Sequence, residues 1–243
     1  MSDRALLEIA ASSLASALAA QAGGADRIEL CENLGQGGCT PSFGSIAVAR
    51  DRLRIPLYVL IRPRAGDFRY DADECEVMRR DIEACVRLGC DGVAIGALDA
   101  DGEVDMDTCR SLADAAGPLG LTFHRALDVA RDPPRALEAA IELGCERVLT
   151  SGAQADALAG ADSIAALVRQ AAGRIKVMAG AGIGPGNVAA LRDRCHADEF
   201  HASARALMRS TMRHRGTLPG LDPDWRQSDR EIVAALRAQL ARH

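Results

Sequence analysis

The chain has 243 residues, a formal net charge of −5, and a hydrophobic fraction of 48% against 26% charged residues. These values are typical of a globular protein, and the acidic balance excludes the basic surface that binding to nucleic acid or to an anionic membrane requires. The first ten residues include acidic side chains and no apolar run long enough for a signal peptide or a spanning helix. We therefore expect a cytoplasmic protein without membrane or nucleic-acid partners.

Eight short apolar segments rich in Val, Ile and Leu recur along the chain, separated by alanine-rich amphipathic segments of helical length. This alternation predicts parallel strands, and strands that are almost wholly apolar predict a sheet covered on both faces. Eight such units in about 210 residues favour a single closed (β/α)₈ TIM barrel over an open sheet. The predicted strands comprise residues 6–10, 28–31, 57–62, 92–96, 121–126, 147–151, 175–180 and 199–203.

We predict one domain, with the barrel over about residues 5–208 and a C-terminal extension over about residues 209–243. Residues 212–225 contain two glycines and two prolines, which predict an irregular segment. Residues 228–231 read SDRE, the pattern of a capping box that starts at Ser228. A closing helix is therefore expected from about Asp229.

The segment RIELCENLGQGGCTPSFG, residues 27–44, begins as a predicted strand and opens into a glycine-rich loop. Glu29 and Cys31 alternate with apolar residues, so they share one face of that strand. In a parallel barrel the carboxyl end of a strand is where chemistry is done. The segment therefore predicts a site that holds a carboxylate and a thiol.

Other polar side chains stand late in predicted strands, where alternation would place apolar core: Glu8, Arg62, His124 and His201. Because barrel interiors normally fill with branched aliphatic residues, these groups and Glu29 predict a functional site. The four glutamates and histidines are candidates for acid–base catalysis. The alternative is a buried ion-pair network that only closes the barrel, with Arg62 between Glu8 and Glu29.

Small and glycine-rich turns follow predicted strands six to eight. In this fold the turns after strands seven and eight commonly bind phosphate through bare N–H groups and a helix N-terminus. Guanidinium groups in the turn after strand three could hold a second anionic group. The candidate anion-binding residues are Arg62, Arg64, Ser151, Gly180, Gly182 and Ser203. The alternative is that these turns need glycine for backbone reasons alone.

The eight cysteines include no CxxC pair, and a chain of this length has an ample core, so we predict reduced thiols rather than disulfides. Cys90 and Cys145 belong to a repeated pattern of a small residue, an acid, any residue and a strand. We expect them to be small buried side chains. Cys31 and Cys39 lie nearest the predicted site, and we expect Cys31 to be the most exposed and reactive cysteine near the barrel mouth.

Five segments, RIELCENLGQGGCTPSFG, VLIRPRAGDF, TFHRALD, RVLTSG and EFHASA, resemble the cytoplasmic copper homeostasis family CutC, in the family order. The resemblance implies a TIM barrel, a homodimer and copper, as Cu(I), as the bound ion. In this interpretation Cys31 is the anchoring thiolate, because Cu(I) favours soft ligands. Cys39 is the second candidate metal ligand, at a position where the family usually has an aliphatic residue or Thr.

The residues themselves favour a second function, a barrel enzyme of the lyase, isomerase or hydrolase type that acts on a small anionic or phosphorylated metabolite. Glu29 and His124 would be its acid and base, and Arg62 with residues 180–182 would hold the anion. Schiff-base aldolase chemistry is disfavoured because Lys176, the single lysine, stands at the start of a predicted strand. The sequence leaves the copper protein and the enzyme as alternatives.

Overall fold

A computed structural model describes residues 4–216, 218 and 220–241. Its central strands are β1 (Leu6–Ala11), β2 (Arg27–Leu30), β3 (Leu57–Leu60), β4 (Gly92–Ile95), β5 (Gly120–Phe123), β6 (Arg147–Thr150), β7 (Lys176–Gly180) and β8 (Glu199–Ala202). All neighbouring pairs are parallel, and β1 pairs with β2 on one side and with β8 on the other. The predicted (β/α)₈ TIM barrel is confirmed.

Helices occupy the connections and bury their apolar faces against the outside of the strands. Among the described residues they are α1 (Leu14–Ala22), α2 (Phe43–Arg52), α3 (Ala72–Leu88), α4 (Met106–Ala116), α5 (Ala126–Val129), α6 (Pro133–Glu142), α7 (Ala161–Ala171), α8 (Val188–Cys195) and α9 (Arg230–Leu240). None of these helices is long and apolar enough to cross a bilayer.

The longest helix, α3, shows how the local sequence sets the ends of a helix. Asp71 accepts the backbone N–H of Glu74, and the Glu74 side chain accepts the N–H of Asp71, which forms a capping box. Gly89 ends the helix with φ +70°, in the left-handed region that glycine adopts without strain. A helix with defined ends fixes where the next strand begins.

The repeated acid before a strand has a structural role at the amino ends of the strands. Asp26 accepts the N–H of Leu7 at 2.8 Å, and Asp91 accepts the N–H of Leu57 at 2.8 Å. Asp198 accepts the N–H of Val177 at 3.0 Å in the same way. Each of these aspartates also pairs with a basic side chain: Arg237, Arg50 and Lys176, respectively. The three aspartates therefore join neighbouring strands at the end of the barrel opposite the mouth.

A short antiparallel hairpin follows the barrel and was not predicted from the sequence. Strand β9 (Arg205–Met208) pairs with β10 (Trp225–Ser228). The two strands are four residues each and are separated by the glycine- and proline-rich segment, so their alternation is too short to identify a pair.

The predicted capping box at Ser228 is wrong by one residue. The N-cap of α9 is Asp229, whose carboxylate accepts the N–H groups of Glu231 and Ile232. Ser228 instead belongs to β10, and its hydroxyl donates to the carbonyl of Ser203 at 2.9 Å. This bond ties the C-terminal hairpin to the end of β8.

Candidate functional site at the barrel mouth

A cavity of about 210 Å³ opens at the carboxyl ends of the barrel strands. It has room for several water molecules, and so for a small metabolite. The predicted site residues that line it are Glu29, Arg62, His124, Gly182, His201 and Ser203. The structure therefore brings together groups from β2, β3, β5, β7 and β8.

Strand register brings Glu8, His201 and Glu29 together. Glu8 of β1 lies beside Arg27 of β2 and His201 of β8. His201 Nδ1 is 2.7 Å from Glu8 Oε1, and His201 Nε2 is 3.7 Å from Glu29 Oε2. The imidazole therefore lies between two buried carboxyl groups: Glu8 beneath the cavity and Glu29 on its wall.

The pKa values of the two carboxyl groups are shifted in opposite directions. Burial disfavours the charged form of Glu8, but Arg27 and His201 outweigh it and lower the pKa of Glu8 to about 2. At Glu29 burial dominates over the attraction of His201 and, with the Glu8 charge, raises the pKa to about 7. Burial would lower the pKa of His201, but the charges of Glu29 and Glu8 raise it. Glu29 and His201 are thus suited to exchange a proton near neutral pH.

A layer of ion pairs fills the barrel below the cavity. Arg27 pairs with Glu8 and with Glu199, and Arg147 Nε lies 3.0 Å from Glu199 Oε2. Both guanidinium groups lie over the ring of Tyr58, at 5.1 and 4.9 Å from its centroid. This layer replaces the aliphatic packing usual in barrel interiors and holds Glu8 ionised.

The alternative that places Arg62 between Glu8 and Glu29 is wrong, because His201 lies between these two carboxyl groups and Arg27 pairs with Glu8 from below. Arg62 instead turns toward the loops: its Nη1 donates to the carbonyls of Gln36 at 3.1 Å and Gly38 at 2.7 Å. Its Nη2 donates to the carbonyl of Gly66 at 2.6 Å. Arg62 therefore joins the loops after β2 and β3 while remaining on the cavity wall.

His124 is held in one orientation beside the cavity. Its Nδ1 accepts the N–H of Ala126 at 3.2 Å, and its ring lies 5.0 Å from that of Phe68. A Cβ at Gly96 would come within 2.7 Å of the ring, so the bare glycine makes room for it. Burial, reinforced by the Arg62 charge, lowers the pKa of His124 to about 3. The imidazole is therefore neutral at physiological pH.

The expectation that Cys31 is the most exposed thiol near the mouth is wrong. Cys31 is 0% exposed and packs against Ala10 and Leu60 inside the barrel, because it follows Glu29 by two residues on the inward face. Burial, together with the Glu29 charge, raises the pKa of the Cys31 thiol well above its usual value. Cys39 is half-buried in the loop after β2. The structure thus places the more accessible thiol at Cys39.

Ser151 lies at the end of β6 and does not line the cavity. Its N–H donates to Asp128 at 2.9 Å, and its hydroxyl lies 3.0 Å from the same carboxylate and 2.7 Å from the carbonyl of Gln154. Asp128 also accepts from Thr150 Oγ1 at 2.6 Å and from Arg125 Nε at 2.7 Å. These donors already have an acceptor, so Ser151 serves to connect β6 to the short helix α5.

Two further predicted anion-binding residues also lie outside the cavity lining. Gly180 is the last residue of β7, where a Cβ would come within 2.5 Å of Leu149. Its lack of a side chain therefore makes room for packing. Arg64 donates to Glu74 at 2.5 Å and to Asp67 at 3.0 Å, and so fixes the start of α3.

Arg27 was not recognised from the sequence, and Arg205, although it follows a predicted strand end, was not among the candidate anion-binding residues. Arg27 precedes Glu29 by two residues, so strand alternation already placed both on the inward face. Arg205 follows Ser203 by two residues and lines the cavity as β9 begins. Both would have been identified by continuing the alternation of inward and outward side chains to the residues at the ends of the strands.

Among the described residues, one set of three side chains is arranged to hold a metal ion: Glu8, Glu29 and His201, with ligand atoms within 4.8 Å of one another. Oxygen and imidazole donors suit harder ions than Cu(I). Because Arg27 already pairs with Glu8, an ion there would compete with a buried guanidinium. The predicted thiol ligands Cys31 and Cys39 do not belong to this set.

Comparison with known proteins identifies the family. The model of the CutC family matches residues 5–206. A CutC family protein of Xanthomonas axonopodis pv. citri is 69% identical over 202 residues, which are 83% of this chain and 84% of that protein. A CutC family protein of Bacteroides thetaiotaomicron is 49% identical over 209 residues, which are 86% and 84% of the two chains.

A solved structure from Streptococcus agalactiae, described as a copper homeostasis protein CutC, is similar in three dimensions. It superimposes with a TM-score of 0.79 at 32% sequence identity, and the match covers 82% of this chain and 98% of that one. The family model and these relatives cover the barrel and its mouth. The chain belongs to the CutC family.

Proposed function

We propose that the mouth cavity binds a small organic anion and exchanges a proton with it. The observation that carries this proposal is the pair formed by Glu29 and His201, in which a carboxyl group of raised pKa faces an imidazole 3.7 Å away. General acids and bases work best when their pKa lies near the operating pH. Arg62 and Arg205, which both line this cavity, supply positive charge that attracts an anion.

In this proposal Glu29 is the base, and His201 is the partner that takes up or returns the proton. Glu8 acts through His201: its Oε1 accepts from Nδ1 and leaves Nε2 directed toward Glu29. Arg27 keeps Glu8 ionised, so this orientation persists across the physiological pH range. Glu8 and Arg27 are therefore positioning residues for the proton-exchanging pair.

The test is calorimetric binding of a panel of small carboxylic acids and phosphate esters, followed by NMR detection of deuterium uptake from D₂O. We expect at least one compound to bind and to exchange a carbon-bound proton, with a rate that rises as pH rises through about 7. Glu29→Gln should abolish exchange while binding persists. Glu83→Gln, at a surface glutamate of α3, is the control. Exchange that survives Glu29→Gln would contradict the proposal.

Cu(I) binding is a second candidate, because the Streptococcus agalactiae relative is described as a copper homeostasis protein and two cysteines lie beside the mouth. Cys31 would be the anchor and Cys39 the second thiolate, as the family resemblance implies. The nearby Glu29 carboxylate would attract a cation. Burial of Cys31 opposes this function, since the loop after β2 has to open before an ion reaches the sulfur.

Titration of the reduced protein with Cu(I) under a competing chelator tests this candidate. If it is right, Cys31→Ser abolishes stoichiometric binding and Cys39→Ser weakens it, whereas Cys75→Ser, at a half-buried thiol of α3, has no effect. Equal Cu(I) binding by the wild type and Cys31→Ser would exclude the copper site at this position.

We further propose that the protein is a cytoplasmic homodimer, as the family resemblance implies. All eight cysteines are free thiols, which supports a reducing compartment. The hairpin leaves Leu207 and Trp225 about half exposed, at 49% and 50%. Exposed apolar side chains of this size support a surface that a second copy covers.

A further inference from the structure

We infer that His124 Nε2 binds a carbonyl oxygen of the ligand. The substrate class is therefore a small carbonyl compound that loses a proton from the carbon next to that carbonyl. This inference rests on the proposed acid–base function of Glu29 and names the chemistry that the opposite side of the cavity adds to it.

His124 presents a hydrogen-bond donor that has no acceptor. Because Nδ1 accepts the N–H of Ala126, the proton of the neutral ring is on Nε2. Nε2 is buried and has no hydrogen-bond partner, and the whole residue is 3% exposed. Burial of an unpaired donor is unfavourable, so such a group beside a cavity marks the place of a missing acceptor.

Arg62 adds positive charge to the same cavity. Its Nη1 and Nη2 donate to loop carbonyls, and its guanidinium also interacts with the Tyr70 hydroxyl. The guanidinium carbon lies 4.9 Å from the centroid of the Phe68 ring, and the His124 ring lies 5.0 Å from the same centroid. The Arg62 charge acts on His124, where it helps to lower the pKa of the imidazole.

A carbonyl oxygen is the acceptor that such a donor lacks. A neutral imidazole suits this task, since it donates its Nε2 proton without releasing it, and the pKa of His124 near 3 keeps it neutral. Gly96 and Phe68 hold the ring in place, so the donor is oriented before the ligand arrives.

The resulting step balances without a cofactor. A Glu29 oxygen forms a bond to the proton on the carbon adjacent to the carbonyl, and the carbon–hydrogen bond breaks. Its electron pair becomes the carbon–carbon double bond of an enolate, while the carbonyl π pair moves to the oxygen. That oxygen accepts a hydrogen bond from His124 Nε2, whose strength rises with the developing charge, and the Arg62 guanidinium adds positive charge to the cavity. Return of the proton regenerates the carboxylate.

The experiment uses glycolohydroxamate, a planar mimic of an enolate, with calorimetry in the presence of EDTA. The His124 tautomer is read from long-range ¹H–¹⁵N NMR spectra of the free protein. We expect the Nε2–H tautomer from pH 5 to 9. His124→Leu should weaken glycolohydroxamate binding about 10- to 100-fold, and His124→Gln, which keeps an N–H donor, should lose about 10-fold at most. His214→Leu, at an exposed position outside the cavity lining, is the control.

Each outcome decides a separate point. An Nδ1–H tautomer, or equal binding by the wild type and His124→Leu, overturns the carbonyl-binding role while binding and Glu29-dependent exchange of other anions can still stand. Failure of every carboxylic acid, phosphate ester and hydroxamate to bind the wild type overturns the proposed function as well. A crystal structure with glycolohydroxamate bound elsewhere and only water at His124 Nε2 also overturns the inference.

Discussion

At the scale of single residues, Gly96 determines where the His124 ring can lie. Gly96→Ala would place a methyl group 2.7 Å from Cε1 and Nδ1 of that ring, closer than packed atoms approach. We expect a shifted ring and a free energy of unfolding lower by about 1–3 kcal/mol, as overpacking usually costs. Urea denaturation and the His124 NMR signals measure both effects.

The control for that substitution is Gly44→Ala in α2, where a new Cβ meets no atom within 4 Å. There the gain in helix propensity predicts a free energy of unfolding about 0.5–1 kcal/mol higher than that of the wild type. A stable Gly96→Ala variant with unchanged His124 signals would show that the glycine is not needed to seat the ring.

The cysteines offer a second test at this scale. Cys31 is 0% exposed and its thiol pKa is raised, so alkylation at pH 8 should modify Cys39 first and Cys31 among the slowest. Cys145, buried with a pKa raised to about 12, should also react slowly. Mass spectrometry after timed labelling gives the order. Faster labelling of Cys31 than of Cys39 would mean that the loop after β2 opens readily.

Sequence reasoning identified most side chains of the mouth but not their partners. Glu29, His124 and His201 stood out because alternation placed polar groups where barrels hold aliphatic ones. Arg62 was assigned to the wrong network, since the sequence does not show whether a long side chain turns into the barrel or up to loop carbonyls. The burial of Cys31 was missed for a related reason: an inward residue at a strand end can lie under a loop.

At the scale of elements, Asp128 holds the ends of two neighbouring strands. Its carboxylate accepts from Thr150, from Ser151 and from Arg125. Asp128→Ala leaves several buried donors without an acceptor, and we expect the free energy of unfolding to fall by about 2–4 kcal/mol. Urea denaturation measures it, and Asp114→Ala at an exposed position of α4 should change stability by less than about 0.5 kcal/mol. Similar losses for both variants would contradict this role.

Elements with long periodic patterns were predictable, and short ones were not. The eight strands and their order followed from apolar segments of regular spacing, because each strand is covered on both faces. The hairpin of β9 and β10 was missed because four-residue strands carry little pattern, and the true cap of α9 differs by one residue because Ser228 is already used by β10. The glycine-rich turns were predicted correctly as turns. Gly180, however, lacks a side chain because Leu149 packs against it, and not in order to bind an anion.

At the scale of the whole molecule, Glu29 makes stability depend on pH. Its folded pKa of about 7 lies above the ordinary value of 4.5, so its contribution is fully present below pH 4.5 and is lost as pH rises through 7. The loss amounts to about 3 kcal/mol. We expect the free energy of unfolding to fall more steeply from pH 5 to 8 in the wild type than in Glu29→Gln. Parallel curves for the two proteins would contradict the raised pKa.

The proposed homodimer belongs to the same scale. Sedimentation equilibrium should give twice the chain mass of 25.6 kDa. Trp225 is the single tryptophan and is half exposed, so its fluorescence should shift to longer wavelength on dilution if the second copy covers it. A mass of one chain at micromolar concentration would rule the dimer out.

The aspartates that join strands at the amino ends of the barrel determine which parts of the sequence can be replaced without unfolding the chain. At the end opposite the cavity, Asp26, Asp91 and Asp198 each accept a hydrogen bond from a neighbouring strand and pair with a basic side chain. These contacts involve no residue of the loops at the barrel mouth. Mouth-loop positions outside the Asp128 contacts can therefore be exchanged or randomised in the laboratory while the amino ends of the strands stay joined, which makes this barrel a suitable starting point for building new binding specificities.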